Sequence, residues 1–124
     1  MLTHIIIGAL DTDKSGDFYE AVLTPLGYTR AAMGKWAGFN CGEGQPPVLV
    51  GAPFEGDARP ANGVMIGFRG ESHEAVAAAH AAGLKAGGTD DGAPGPRPFG
   101  PPGIYAAYLR DPTGNKIGIF HMGG

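Results

Sequence analysis

Few side chains of this chain combine a reactive type with a suggestive position. His4 precedes an isoleucine run and is either a general base or metal ligand, or a structural histidine packed beside its neighbours. Cys41 has no histidine or cation next to it in sequence, which leaves a nucleophile role unsupported. His73 and His80 stand about two helical turns apart, and we expect both to face solvent. No phosphate-binding glycine loop and no serine nucleophile elbow occur, so the sequence gives no sign of those chemistries.

A second group of side chains could bind a ligand without reacting with it. Trp36 is either a wall of an apolar pocket or part of the core, and Phe120 lies in the last predicted strand. Tyr105 and Tyr108 fall on opposite faces of one strand, so one of them should reach the pocket, and we assign Tyr105 to it. Arg97 could hold an anion, although a lone arginine in a loop is more often solvated.

The elements that must position these residues begin with a β-branched run at 3–10. Oxygens of Asp11 and its neighbours then offer an N-cap to a helix, in which apolar residues recur at helical spacing and which Pro25 and Gly27 end. Glycine-rich turns separate the next segments. Three further strands are predicted at 28–33, 35–41 and 47–52.

The second half of the chain repeats this order. A strand at 63–69 precedes an alanine-rich helix over 72–86. The proline- and glycine-rich segment 92–103 is expected to be a rigid loop beside the mouth of a cleft, because it cannot be a helix or an interior strand. Strands at 104–110 and 115–122 follow, joined by a tight Asp-Pro-Thr-Gly turn.

Alternation along the strands predicts which side chains face inward. The isoleucine pairs at 5 and 7 and at 117 and 119 should pack under the helices, which directs His4 and Gly118 to the opposite face. By the same rule Val64 should pack under the second helix, and Met65 should face the same way as His4.

Composition limits the classes of protein that remain. The 124 residues fit one domain with modules of about 1–56 and 57–124, and 43% hydrophobic residues can build a core. A net charge of −3 without a basic run speaks against nucleic acid as a partner. Apolar runs stay far short of the ~20 residues of a membrane span, and no secretory signal is visible. The single cysteine suits a reducing cytoplasm.

Two motifs carry a family resemblance. Thr3-His4-Ile5-Ile6-Ile7-Gly8 opens the chain, and Asp111-Pro112-Thr113-Gly114-Asn115 precedes its last strand. With the repeated plan, the chain resembles the vicinal oxygen chelate superfamily, which includes glyoxalase I, extradiol dioxygenases, and bleomycin- and fosfomycin-resistance proteins. The resemblance covers nearly the whole chain. It implies an α+β fold of two βαβββ modules, with curled mixed sheets around a cleft, helices outside, and a two-fold homodimer.

The resemblance also implies where a metal would sit. The enzymes of that superfamily hold a metal with residues on several strands, and the matching positions here are His4, Met65 and Gly118. A thioether is a soft donor and glycine has no donor, so we expect no cofactor and no divalent metal of the usual kind. The remaining donors for a shifted site are His121, Glu43, Glu55 and Asp57.

The resulting hypothesis is a cytoplasmic protein of the glyoxalase, bleomycin-resistance and dioxygenase type that binds a small molecule in an apolar cleft. The expected ligand contacts are His4, Trp36, Met65, Arg97, Tyr105 and Phe120. The alternative is a metal-dependent glyoxalase-like lyase or dioxygenase with an atypical ligand set, so whether the chain is an enzyme stays open.

Overall fold

A computed structural model of the chain describes residues 1–123. Its elements run in the order predicted for two βαβββ modules. The first module comprises β1 (Ile5–Gly8), α1 (Thr12–Leu23), β2 (Thr29–Met33), β3 (Trp36–Asn40) and β4 (Val48–Gly51). The second comprises β5 (Ile66–Arg69), α2 (His73–Lys85), β6 (Thr89–Pro96), β7 (Tyr105–Arg110) and β8 (Lys116–His121). Within residues 1–123, neither helix is long and apolar enough to cross a membrane.

The two modules have the same strand topology. The first sheet has the order β1-β4-β3-β2 and the second has the order β5-β8-β7-β6. In each, the first strand pairs in parallel with the last, and the other neighbours are antiparallel. Neither sheet closes on itself, so β1 and β5 are edge strands. The predicted α+β class with mixed sheets is confirmed.

Strand β6 was missed by the sequence analysis. Residues 92–103 were expected to form a loop, yet 92–96 lie in β6, an edge strand that pairs with β7. Proline is tolerated there because an edge strand has one row of amides without partners, and register shifts near Gly92 and Gly95 absorb the irregular residues. The loop proper is therefore confined to 97–104.

Local sequence sets the ends of both helices as predicted. Asp11 caps α1 by accepting a hydrogen bond from the backbone N–H of Lys14, and Ser72 caps α2 through Ala75. After α1, a short 3-10 turn ends at Gly27, whose φ of 97° lies in the left-handed region that glycine adopts freely.

A single apolar core lies between the helices and the sheets. Ile7, Ile117 and Ile119 are buried on the helix side, as strand alternation predicted. The helices also contact each other at Gly83 of α2, where an added Cβ would lie 2.8 Å from Val22 Cγ2. Close approach of the two helices therefore depends on the missing side chain at that position.

Two expectations about the helix side were wrong. Val64 is 65% exposed because β5 begins only at Ile66. His80 is buried instead of solvent-facing, and its Nε2 lies 2.9 Å from Asp90 Oδ1. Hydrogen bonds from the Gly92 backbone and from His80 lower the pKa of the Asp90 carboxyl. The His80 side chain can be buried because Asp90 of the edge strand gives its ring nitrogen a hydrogen-bond partner.

The turn between β7 and β8 ties the two modules together. Asp111 is buried, and its Oδ1 accepts hydrogen bonds from the backbone N–H groups of Thr113, Gly114 and Asn115, each at 2.9 Å. Its Oδ2 accepts from Tyr19 Oη of α1 at 2.7 Å and from Asn115 Nδ2 at 3.0 Å. The same Asn115 amide donates to the Gly8 carbonyl of β1 at 2.9 Å. The turn motif therefore connects both sheets to α1.

Candidate functional site

A cavity of about 170 Å³ lies where the edge strands of the two sheets approach each other. We call it the seam cavity. Its walls come from both modules and from the linker between them: Ile6, Ile7 and Gly8 of β1, Arg59, Ala61 and Val64 of the linker, Ile66 of β5, Lys116 and Ile117 of β8, with Tyr19 and Asn115. The cavity thus exists only because the two halves are joined.

The linker forms one wall because glycines let it approach the sheets. A Cβ added at Gly8 would lie 3.3 Å from Ala58 Cβ, and one added at Gly114 would lie 3.3 Å from Pro60 Cγ. Gly114 also has a φ of 105°, which side chains rarely adopt. These contacts hold the segment around Arg59 against β1 and the β7–β8 turn.

The seam cavity combines apolar walls with the cationic side chain of Arg59, and Lys116 lines it with its ammonium directed toward β6 and β7. Arg59 is exposed, and within residues 1–123 it forms no salt bridge and no side-chain hydrogen bond. Lys116 is half-buried, and its Nζ lies 3.4 Å from Asp91 Oδ2 and 5.0 Å from the centre of the Tyr108 ring. Among residues 1–123, no carboxylate lines the cavity. Arg59 is therefore the positive charge that the cavity offers to an occupant.

Tyr19, at the inner wall of the seam cavity, is buried and stays protonated. Burial, followed by the charge and the hydrogen bond of Asp111, raises the pKa of Tyr19 well above its ordinary value. Its hydroxyl is committed to Asp111, as is one hydrogen of the Asn115 amide. Neither group is free to act as an acid or a base toward a ligand.

Away from the seam, the sheet faces opposite the helices are covered by aromatic rings lying over glycines. We call these the open faces. On the second sheet, a Cβ at Gly118 would lie 2.5 Å from Phe120 Cε1 and 3.2 Å from Tyr108 Cε1. A Cβ at Gly67 would lie 3.1 Å from the same Phe120 ring. On the first sheet, Trp36 covers Gly51 in the same way, at 2.6 Å.

The three positions that the resemblance assigns to metal ligands do not fit a divalent metal. His4 is exposed before β1 begins, with its Nδ1 2.9 Å from Thr3 Oγ1. Met65 offers a thioether, and Phe120 fills the space above Gly118 that a longer side chain would need. Across the part of the chain that the structure describes, no three His, Cys, Asp or Glu side chains cluster as metal ligands would.

Among the predicted ligand contacts, Tyr105 lies on the wrong side of its strand. It stacks on His73 of α2 with ring centres 4.0 Å apart, and it pairs with His121 in the sheet. Tyr108 is the tyrosine on the open face, 5.7 Å from the Phe120 ring. His121 also lies on the helix side, 3.0 Å from the Gly70 carbonyl oxygen.

Arg97, the first residue after β6, folds its side chain back onto that strand. Its guanidinium donates hydrogen bonds to the carbonyls of Ala93, Gly95 and Pro96 and lies over the Tyr108 ring, 5.4 Å from its centre. This places it at the outer edge of the second sheet, away from β5 and the seam.

Trp36 and Phe120 lie on the open faces of different sheets, and neither lines the seam cavity. The predicted contacts are therefore not brought together at the cavity. Three linker residues line the cavity, Arg59, Ala61 and Val64, and the sequence predicted none of them as a ligand contact. The available signal was their position in the connector that must cross from β4 to β5.

A second recess, of about 510 Å³, lies at the other end of β1 and includes Tyr28 and Cys41. Burial and the neighbouring Cys41 raise the pKa of Tyr28. The charged pair at its rim, Arg69 and Glu71, lies 3.7 Å apart and offsets its own charge. The seam cavity differs from this recess in that its Arg59 has no carboxylate partner within residues 1–123.

Comparison with known proteins agrees with the architecture. The family profile described as the Glyoxalase/Bleomycin resistance protein/Dioxygenase superfamily matches residues 1–119. A crystal structure of a glyoxalase/bleomycin resistance protein from Albidiferax ferrireducens T118 is similar with a TM-score of 0.86 and 35% identity, covering 98% of each chain. Comparison with curated proteins gives no match.

More distant structures share the fold alone. A glyoxalase/bleomycin resistance protein/dioxygenase family enzyme from Burkholderia phytofirmans PsJN has a TM-score of 0.72 at 20% identity, covering 97% of each chain. The hypothetical protein SA1046 from S. aureus has a TM-score of 0.72 at 21% identity, covering 98% of this chain and 93% of that one.

Proposed function

The chain belongs to the Glyoxalase/Bleomycin resistance protein/Dioxygenase superfamily, and on that premise we propose that it binds a small organic molecule in the seam cavity without a divalent metal. The observation that carries the proposal is the cavity itself, which has apolar walls from both modules and a few polar groups at fixed positions. Small-molecule sites are commonly concave and mostly apolar, with a small number of orienting polar groups.

The size of the cavity limits the ligand. Its volume of about 170 Å³ is close to the ~150 Å³ of an engineered cavity that holds benzene. One ring or one branched chain would therefore fill it, and larger parts of a ligand would have to extend along the open faces. Ile6 and Val64 line the cavity and are exposed apolar side chains at the start of that path.

We propose binding without a metal because of the side chains at the superfamily's ligand positions. With one exposed imidazole, one thioether and a glycine covered by Phe120, the superfamily's ligand positions offer no set of hard or borderline donors. A metal-dependent lyase or dioxygenase would need donors from elsewhere in the chain. Stoichiometric metal in purified protein that resists dialysis would overturn this part of the proposal.

Thermal denaturation with ring-sized probes tests ligand binding. Benzyl alcohol, benzamide and benzoate carry one ring and one polar group each. A ligand present at about ten times its Kd adds about 1.4 kcal/mol of stability, or roughly 4–6 °C in Tm for a domain of this size. We expect at least one probe to raise the Tm.

A matched pair of linker variants locates the site. Ala61→Trp places an indole at the cavity wall and should abolish the shift, whereas Ala52→Trp makes the same change at an exposed linker position outside the cavity. No shift with any probe, or an equal shift in Ala61→Trp, would contradict the proposal.

Two further parts of the proposal concern the state of the protein. We propose a two-fold homodimer, supported by the exposed apolar residues Met33 and Phe54 on or beside the first sheet, and light scattering on purified protein tests it. A cytoplasmic setting is proposed from the lone Cys41, and fractionation of cells tests it.

A further inference from the structure

We propose that the ligand of the seam cavity is a small organic anion whose carboxylate is held by Arg59. The inference deepens the proposed function and rests on it, because it names the chemical class that the same cavity would take.

The charge of the cavity lining is opposite to that of the whole chain. The net charge of the chain is −3, yet the charged residues that line the cavity are Arg59 and Lys116. The Lys116 ammonium lies beside Asp91 and over Tyr108, on the side of β8 away from the seam, so Arg59 is the cation that an occupant would meet. A ring-sized cavity with such a cation at its wall favours an anion over a neutral ligand.

Arg59 differs from the arginines whose partners the structure shows. Those four are each bound to carboxylates or carbonyl oxygens of the chain: Arg30 with Asp17 and Glu20, Arg69 with Glu71, Arg97 with strand β6, and Arg110 with Asp91 and Gly114. Arg59 has no such partner within residues 1–123. A guanidinium that is not already neutralised can offer its paired N–H donors to a carboxylate.

The other polar groups of the cavity cannot supply the recognition. Tyr19 Oη donates to Asp111, and Asn115 Nδ2 donates to Gly8 and Asp111. Lys116 shares its charge with Asp91 at 3.4 Å. Arg59 is therefore the donor left for an anionic group, while the isoleucine walls take the apolar body of the ligand.

The shape of the cavity indicates where the carboxylate and the apolar body of such a ligand would lie. Arg59 is exposed and lies in the linker at the cavity mouth, whereas Ile7 and Ile117 are buried at its inner end. A carboxylate attached to one ring or one short branched chain would keep its charge at the wet rim and its carbon atoms inside. A charge on the buried end would be desolvated without a partner.

Titration calorimetry with matched probes tests the inference. Benzoate and benzamide have the same ring and nearly the same shape and differ in charge. We expect the wild type to bind benzoate about 10- to 100-fold more tightly than benzamide, the range of one charged hydrogen-bonding contact. The benzoate affinity should also weaken between 50 and 500 mM salt, and the benzamide affinity should not.

The variant Arg59→Gln should remove the preference for benzoate and leave benzamide binding unchanged. Arg69→Gln is the control, because it removes the same charge at an exposed position outside the cavity. Equal binding of the two probes in the wild type, or a benzoate Kd that Arg59→Gln does not change, would overturn this inference alone. Failure of every probe to bind would overturn the proposed function together with it.

Discussion

Replacing Asp111 by alanine should be one of the most destabilising single changes in the chain. The carboxylate is 3% exposed and accepts hydrogen bonds from three backbone N–H groups of its own turn, from Tyr19 and from the Asn115 amide. Alanine would leave the Tyr19 hydroxyl and the backbone N–H groups of Thr113 and Asn115 without this acceptor, whereas the Gly114 N–H keeps the Asp111 carbonyl and the Asn115 amide keeps Gly8. It would also break the link between α1 and the β7–β8 turn.

The magnitude follows from how buried each donor is. Tyr19 is fully buried, so its unpaired hydroxyl alone costs about 1–3 kcal/mol, and the half-exposed backbone donors add less because water reaches them. We expect a total loss of about 3–5 kcal/mol in the free energy of unfolding. That corresponds to roughly 10–20 °C in Tm for a domain of this size.

Urea denaturation followed by circular dichroism measures this loss. Asp57→Ala removes a carboxylate at an exposed linker position and should stay within about 0.5 kcal/mol of the wild type. Tyr19→Phe, which removes one contact of the network, should lose about 1.5–3 kcal/mol. A loss below 1 kcal/mol for Asp111→Ala would refute the reasoning, since the turn would then hold without its acceptor.

Three further outcomes follow from the same geometry. The raised pKa of Tyr19 stabilises the folded state fully below about pH 10, the ordinary tyrosine pKa, and this stabilisation is lost as the pH rises above it. In denaturant titrations between pH 10 and 12, Tyr19→Phe should therefore lose less stability than the wild type. The lowered pKa of Asp90 has the opposite effect: its carboxylate stabilises the folded state above about pH 4, and this stabilisation is lost on acidification. In the same assay, the stability of Asp90→Asn should therefore fall less steeply than that of the wild type as the pH is lowered. Met65→His with Gly118→Glu should fail to gain a metal, because a side chain at 118 meets the Phe120 ring, and metal content after dialysis should rise only when Phe120→Ala is added.

Much of the fold could be predicted because its signals are local. The isoleucines of β1 and β8 alternate with residues of the other face, and the buried positions of Ile7, Ile117 and Ile119 follow that pattern. Asp11 and Ser72 mark the helix starts by side-chain capping. Strand β6 escaped because its prolines argue against a strand, and only its place at the sheet edge makes them acceptable.

The candidate site was harder to predict because it depends on contacts between distant segments. Strand alternation places Tyr105 and Tyr108 on opposite faces of β7 but does not indicate which of them faces α2. In the structure Tyr105 stacks on His73 of α2, a contact between two elements that are distant in sequence. Arg59 carries no motif, and its place at the cavity follows from Ala58 and Pro60 packing against glycines of other segments. Such packing has no signature in a single sequence.

Methyl NMR of the protein with benzoate, in the presence of a chelator, tests the central claim most directly. With isoleucine, leucine, valine and methionine methyl groups observed, Ile6, Val64 and Ile66 report the seam cavity. The account predicts saturable shifts of these signals without any metal, and their loss in Ala61→Trp. Shifts confined to Met33 and Leu49 on the first sheet, or shifts that appear only after a divalent metal is added, would contradict it.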